Sequence, residues 1–328
     1  RGFFMIARTS QLFFTCIQLF LLGALPLASL ADLYVSASGT YDGQPAYVDL
    51  QAAIQAAPSG ATIWVEDGFV CETGKTDLAE NACRILIDKA VTVRSRSGTL
   101  QNPAVIRGAW HDPGNGIALG VHAIRCVRMT SSNARLIGFR LEGGATADSD
   151  DWTATAGSGG GFLGSGVLSN CLITANQAAS GGGLSASGVV PALFSCVISN
   201  NVAKLNAGGV KSANCVNTTI VGNHSDGSCG GFRTIDASAC LIVGNVAATS
   251  GGGGIAVGNT FTDCVVTNNE AGTDGGGIHY TPTLFRCLVG WNRAAGAGGG
   301  VHGGASTAPV VAFDSTFVGN RAGGSGGG

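Results

Sequence analysis

Three sets of residues have types and spacing that could do chemistry. Asp148, Asp150 and Asp151 form the densest acidic cluster of the chain and could hold a cation weakly. Lys211, Arg233, His279 and His302 each follow a Gly-Gly-apolar step. If those steps stack, the four side chains form a stripe suited to an anionic glycan; the alternative is a solvated face. Cys71 and Cys83 flank a polar insertion and are the expected disulfide pair, should the chain be exported. Cleavage of an acidic polysaccharide needs either carboxylates for calcium beside a basic residue, or paired carboxylates acting as acid and base. The repetitive C-terminal half holds six acidic residues, Asp226, Asp236, Asp263, Glu270, Asp274 and Asp314, and no run of them. It also lacks Gly-Gly-x-Gly-x-Asp and any Cys-x-x-Cys. Catalysis is therefore not expected. No cofactor is expected either, with calcium reserved for the case of an enzyme.

Composition narrows the class. Among 328 residues 54 are glycine, 15 of them before residue 157 and 39 from residue 157 onward, with no three-residue period, which excludes collagen. Charged residues make up 12% and hydrophobic ones 45%, which argues against charge-driven disorder. A net charge of −2 gives no footprint for nucleic acid. Met5 reads as the start, with residues 1–4 as upstream read-through. Arg8, the apolar run Leu12–Leu27 and Ser29-Leu30-Ala31 then read as a secretory signal peptide spanning residues 1–31. Export, to the extracellular space, the cell surface or the outer membrane, is the expectation.

The positioning elements emerge from a repeat. From Cys171-Leu-Ile-Thr-Ala-Asn176, the offset of five between a small residue and an asparagine recurs at Cys196/Asn201, Thr218/Asn223, Cys240/Asn245, Cys264/Asn269, Cys287/Asn292 and Ser315/Asn320. Glycine pairs or triples follow, then Leu184, Val210, Phe232, Ile255, Ile278 and Val301. A period of 22 to 28 residues with short strands and no helical pattern predicts a β-solenoid. Each turn is expected to hold two or three strands, stacked in parallel about 4.8 Å apart. The small residues and Ile173, Ile198, Ile220, Ile242, Val266, Val289 and Phe317 should form inward ladders. The asparagines should close each strand, bonding the turn backbone and the next coil. They are also expected to tolerate left-handed backbone there.

The [Ile/Val/Phe]-x-x-Asn and Gly-Gly-[Ile/Val/Leu] pair resembles the repeats of polymorphic outer-membrane proteins, which are autotransported surface proteins. More broadly it is similar to bacterial right-handed parallel β-helix proteins of the pectin-lyase-like superfold. The resemblance covers residues 157–328, with Phe317-Val-Gly-Asn320 the closest to the family form. It implies an all-β, right-handed parallel β-helix acting as a non-catalytic adhesin, stalk or envelope component. Partners would be glycans or a host or neighbouring cell surface. A polysaccharide lyase or hydrolase acting on acidic glycans is the alternative. The chain stops inside a repeat, at Gly326–Gly328, which reads as truncation; membrane attachment is expected only through an anchor or barrel beyond it.

Residues 32–156 resemble the N-terminal cap and irregular first coils of such a helix. Asp49 is placed to N-cap a helix over Leu50–Ala57, and Ala61–Val65, Arg84–Asp88, Val91–Arg94, Val105–Arg107 and Leu136–Phe139 read as strands. Ala145–Gly160 reads as a projecting loop. The ladder cysteines are expected to be buried thiols behaving as small hydrophobes.

Overall fold

The computed structural model describes residues 32–328 except 75–81, 112–116, 152, 234–235, 257–259, 281 and 305–308. The segment read as a signal peptide, residues 1–31, and Trp152 therefore lie outside the described residues. Apart from a two-stranded antiparallel hairpin, Thr40–Tyr41 with Gln44–Pro45, the described strands build four stacked sheets, every pair within them parallel, forming a right-handed parallel β-helix. Following the chain around one coil, the first sheet has eleven strands (Leu33–Val35 through Val311–Phe313) and the second ten (Val70–Cys71 through Thr316–Val318). The third has seven (Gln177–Ser180 through Arg321–Ala322) and the fourth nine (Cys83–Ile87 through Val301–His302).

The regular coils thus carry four strands where two or three were expected. The additional one, in the third sheet, is mostly two residues long. Its inward position is Ala178, Ala203, Ser225, Ala247, Ala271 or Ala294, all buried. An Asn-x-Ala/Ser signature therefore belongs to the repeat.

Registers follow the predicted ladders. Ile198 pairs with Ile220, Ile220 with Ile242, and Ile242 with Val266. On the fourth sheet Leu184, Val210, Phe232, Ile255, Ile278 and Val301 form one column. Because a parallel stack superimposes equivalent positions, apolar residues recurring at the coil period merge into one continuous core.

The small-residue ladder has a further reason for its chemistry. The residue before each member, Asn170, Ser195, Asn217, Ala239, Asp263, Arg286 or Asp314, lies at φ between 49° and 55° and turns the corner from first to second sheet. The carbonyl two positions before each ladder residue accepts a backbone N–H from the neighbouring coil at that bend, and the ladder side chain donates to it as well. Cys171 Sγ reaches Ser169 O at 3.4 Å, Cys240 Sγ reaches Ser238 O at 3.2 Å, and Thr218 Oγ1 reaches Val216 O at 3.0 Å. Cysteine, threonine and serine share small size and a donor, so they interchange there.

Asn176 to Asn292 are buried and Asn320 is partly buried, but none of them occupies a left-handed position. Those fall one residue earlier, at Ala175, Asn200, Gly222, Gly244, Asn268, Trp291 and Gly319. Each asparagine instead bridges coils. Asn223 Nδ2 donates to Ile198 O at 3.0 Å and to Asn245 Oδ1 at 2.9 Å, while its Oδ1 accepts from Asn201 N and Nδ2 at 3.0 and 2.9 Å. The same four-bond pattern repeats along the stack, so polar side chains sit in the core with their hydrogen bonding satisfied. Glycines make room for them. A Cβ on Gly209 would lie 2.5 Å from Gly231 O and 3.0 Å from Asn223 Nδ2.

At the N-terminal end a helix, α1, covers Leu50–Ala56, with Asp49 Oδ1 accepting from Ala52 N at 2.7 Å. Leu50, Ala53 and Ile54 are buried against the first coils. The segment read as one strand over Leu136–Phe139 is two, Arg135–Ile137 and Phe139–Glu142, separated by Gly138 at φ +77°. A Cβ at Gly138 would overlap the Ser95 hydroxyl, so glycine makes this corner possible. Nor does Ala145–Gly160 project as a whole. Ala145, Thr146 and Ser158 are buried, and the buried Arg125 guanidinium donates to the carbonyls of Thr155, Ala156 and Ser158.

Candidate binding face

The fourth sheet carries the predicted stripe as an unbroken column. Lys211 pairs with Arg233, Arg233 with Ala256, Ala256 with His279, and His279 with His302. In each short strand the preceding apolar residue points inward, so strand alternation turns these five outward. The four polar members are neither buried nor fully exposed. Burial, assisted by Arg233 one rung away, lowers the Lys211 ammonium to a pKa of about 8, with Asp151 pulling the other way. Lys211 Nζ also lies 3.4 Å from Ser158 Oγ.

The His279 and His302 rings stack with centroids 5.3 Å apart, and His279 stacks on Tyr280 at 4.2 Å. Burial and the neighbouring His302 hold the His279 imidazole below its ordinary pKa, with Asp274 opposing. Asp274 sits five residues before His279, across a glycine corner. Its Oδ1 accepts from Ala297 N at 2.6 Å, and its Oδ2 lies 4.0 Å from His302 Nδ1. Asp274, His279 and His302 bring one ligand atom each to within 4.8 Å of one another. Sequence reasoning counted Asp274 only as one of six acids. The spacing Asp-Gly-Gly-Gly-Ile-His, followed one coil later by a second histidine, was the available signal.

The acidic cluster is arranged differently from the expectation of a cation site. Lys204 Nζ, from the third sheet, lies 2.9 Å from Asp148 Oδ1 and 2.8 Å from Asp150 Oδ1. Its ammonium holds the Asp150 carboxyl below the usual range. Asp151 turns away, accepting from Thr153 N and Oγ1 at 2.8 and 2.6 Å. Two of the three carboxylates are thus committed to a side-chain cation. The adjacent groove, about 610 Å³, is lined by small and apolar residues with Asp148 the charged one among them.

Other carboxylates are also paired. Arg286 makes a two-pronged contact with Asp263, at 2.7 and 2.8 Å, and Arg107 lies between Glu72 and Glu142. Cys71 and Cys83 are not joined by a disulfide: Cys71 belongs to the second sheet, whereas Cys83 faces inward from the fourth and pairs in register with Arg125. The ladder cysteines are likewise unbridged. Cys215 is an inward residue of the first sheet, Cys229 occupies a corner at φ +59°, and Cys126 Sγ reaches Asn176 Oδ1 at 3.4 Å at the head of the asparagine ladder. Burial pushes the Cys126 and Cys229 thiols up to about 12.

A sequence model for the family described as periplasmic copper-binding protein (NosD) matches residues 164–320, the regular coils. No curated protein sequence matches the chain. Among solved structures, the chain is similar to pectate lyase Pel9A, with 13% identity over 83% of this chain and 68% of that one and a TM-score of 0.44. Pectin methylesterase from Aspergillus niger gives 16% identity over 87% and 89% of the two chains, TM-score 0.42. Alginate lyase from Paenibacillus sp. str. FPU-7 gives 12% over 85% and 95%, TM-score 0.40. By its stacked parallel sheets and the coils that the family model matches, the chain is a right-handed parallel β-helix. No helix among the described residues is long and apolar enough to cross a membrane.

Proposed function

We propose that this protein is a non-catalytic surface or envelope component that binds an extended anionic glycan along the outer face of its fourth sheet. The observation carrying this reading is the stripe. Lys211 and Arg233 on adjacent rungs, with His279 and His302 two coils further on, present basic and hydrogen-bonding groups at the coil pitch of about 4.8 Å. A polymer of regularly spaced acidic groups matches such a ladder, whereas a compact ligand would need a pocket. The periplasmic setting in the description of the matched family supports export. Delivery to the cell surface in the manner of an autotransported passenger belongs to the same reading. Against glycan cleavage stand the pairings of Asp148, Asp150, Asp263, Glu72 and Glu142 with basic side chains, which leave these carboxylates poorly placed as acid, base or calcium ligands.

The test is binding and turnover on polygalacturonate, alginate and a sulfated glycosaminoglycan, with and without calcium. Saturable binding that weakens as salt rises from 50 to 300 mM (about a halving of the screening length) and falls in Lys211→Ala/Arg233→Ala is expected. Release of oligosaccharides, or binding indifferent to both salt and the double substitution, overturns it.

A further inference from the structure

We infer that Asp274, His279 and His302 form a three-ligand site for a divalent first-row transition ion of the Cu(II) or Zn(II) type, at the edge of the fourth sheet. The inference stands on this cluster alone and is independent of glycan binding.

The donor set selects the ion. Two imidazoles and one carboxylate suit borderline divalent ions. The cluster contains no thiolate to favour a soft monovalent ion. It also falls far short of the six to eight oxygens that calcium takes. Three protein ligands with a fourth position open is the arrangement that leaves room for water or an exogenous ligand.

The geometry is close to closed. For bonds of about 2.0–2.1 Å, tetrahedral ligand atoms stand roughly 3.3 Å apart. The three atoms here lie within 4.8 Å, and Asp274 Oδ2 and His302 Nδ1 are at 4.0 Å. Small side-chain rotations cover the difference, because none of the three residues is fully buried. The contact a metal on His302 Nδ1 would displace is the long 3.3 Å bond donated by Gly304 N.

The surroundings already orient the ligands. Ala297 N fixes one carboxylate oxygen of Asp274 and leaves the other facing His302, the kind of outer hydrogen bond that positions a metal ligand. The ring stack on Tyr280 holds His279. Glycine corners make the space. A Cβ on Gly251 would overlap His279 Nδ1, and one on Gly298 would lie 2.7 Å from His302 Cβ.

The test uses the untagged full chain and the metal alone. Titration with Co(II) followed by visible absorption, and with Cu(II) followed by paramagnetic resonance, is expected to show one equivalent bound with two-nitrogen ligation. His279→Ala, His302→Ala and Asp274→Asn should each weaken binding at least about tenfold. His224→Ala, which removes a histidine paired with Asp226 on another sheet, should leave it unchanged, as should Lys211→Ala, so that failure of the glycan reading is distinguishable. Carbethoxylation mapping of the unaltered chain gives a readout that needs no variant: metal should protect His279 and His302. Retention of the equivalent in His279→Ala/His302→Ala, or equal labelling of both histidines with and without metal, overturns the inference.

Discussion

Removing one asparagine from the middle of the ladder should cost more than removing the last. In Asn223→Ala four hydrogen bonds vanish together. Asn201 Nδ2 retains Ile173 O, and Asn245 Oδ1 retains Asn223 N. Asn201 N and Ile198 O, both in the core, lose the side-chain partners that Asn223 supplies. Ile198 O keeps its ladder bond to the next coil, so Asn201 N is the orphaned group, and at about 1–3 kcal/mol for such a group the substitution predicts about 1–3 kcal/mol before any term for the small cavity. Asn320→Ala removes the same kinds of bond, but at a partly buried site where water replaces them, and should cost less than about 1 kcal/mol. Urea unfolding of both variants, monitored by circular dichroism and with slopes compared to detect loss of cooperativity, reads the contrast. Equal destabilisation by the two, or a loss below about 1 kcal/mol for Asn223→Ala, would refute the view that the ladder is held by buried, mutually satisfied amides.

Glycine positions should separate in the same assay. Gly209→Ala, with its Cβ 2.5 Å from a carbonyl, should destabilise by several kcal/mol, against about 1–2 kcal/mol for Gly188→Ala, where φ is +88° but nothing lies within 4 Å. Acid should weaken the fold through His279. Its folded pKa is below the unfolded 6.5, so the unfolded chain binds more protons as pH falls through 6.5, and stability drops. A pH series should show His279→Gln losing less stability than the unaltered protein between pH 7 and 5, and parallel curves would contradict this. Phe261→Ala, which empties a fully buried site edge-on to Phe232, should cost about 3–5 kcal/mol by the same denaturation. Ellman's reagent at pH 8 should find the ladder thiols inert until urea unfolds the chain; prompt native labelling of Cys240 or Cys264 would show that their carbonyl contacts open readily.

The core ladders were legible because a parallel stack converts sequence period directly into contact. Cys264, Val266 and Asn269 needed only their offset to be placed beside Cys240, Ile242 and Asn245. What periodicity cannot carry is whatever depends on turn geometry or on an element outside the period. The two-residue strands of the third sheet have no alternation to detect, so Asn-x-Ala passed as turn. The left-handed residues admit alanine, asparagine, tryptophan and arginine alike, so their type does not announce their backbone. Lys204 meets Asp148 from 56 residues away, across an irregular segment with no repeat to align. The stripe was readable as a column of one residue per coil, but Asp274 joins it only through a glycine corner whose direction the spacing does not give.

The coil-to-coil register has a consequence for length. Asn201, Asn223 and Asn245 are spaced by 22 residues and make identical contacts above and below. Excising residues 202–223 would therefore set Asn201 directly on Asn245, and Ile198 on Ile242, with these two ladders meeting replicas of the neighbours they lost, while Leu184 would meet Phe232 in place of Val210. Extent along the axis is consequently an adjustable dimension of this molecule, open to duplication or deletion in whole coils without a new packing solution for these two ladders, while a fractional change would shear every column at once.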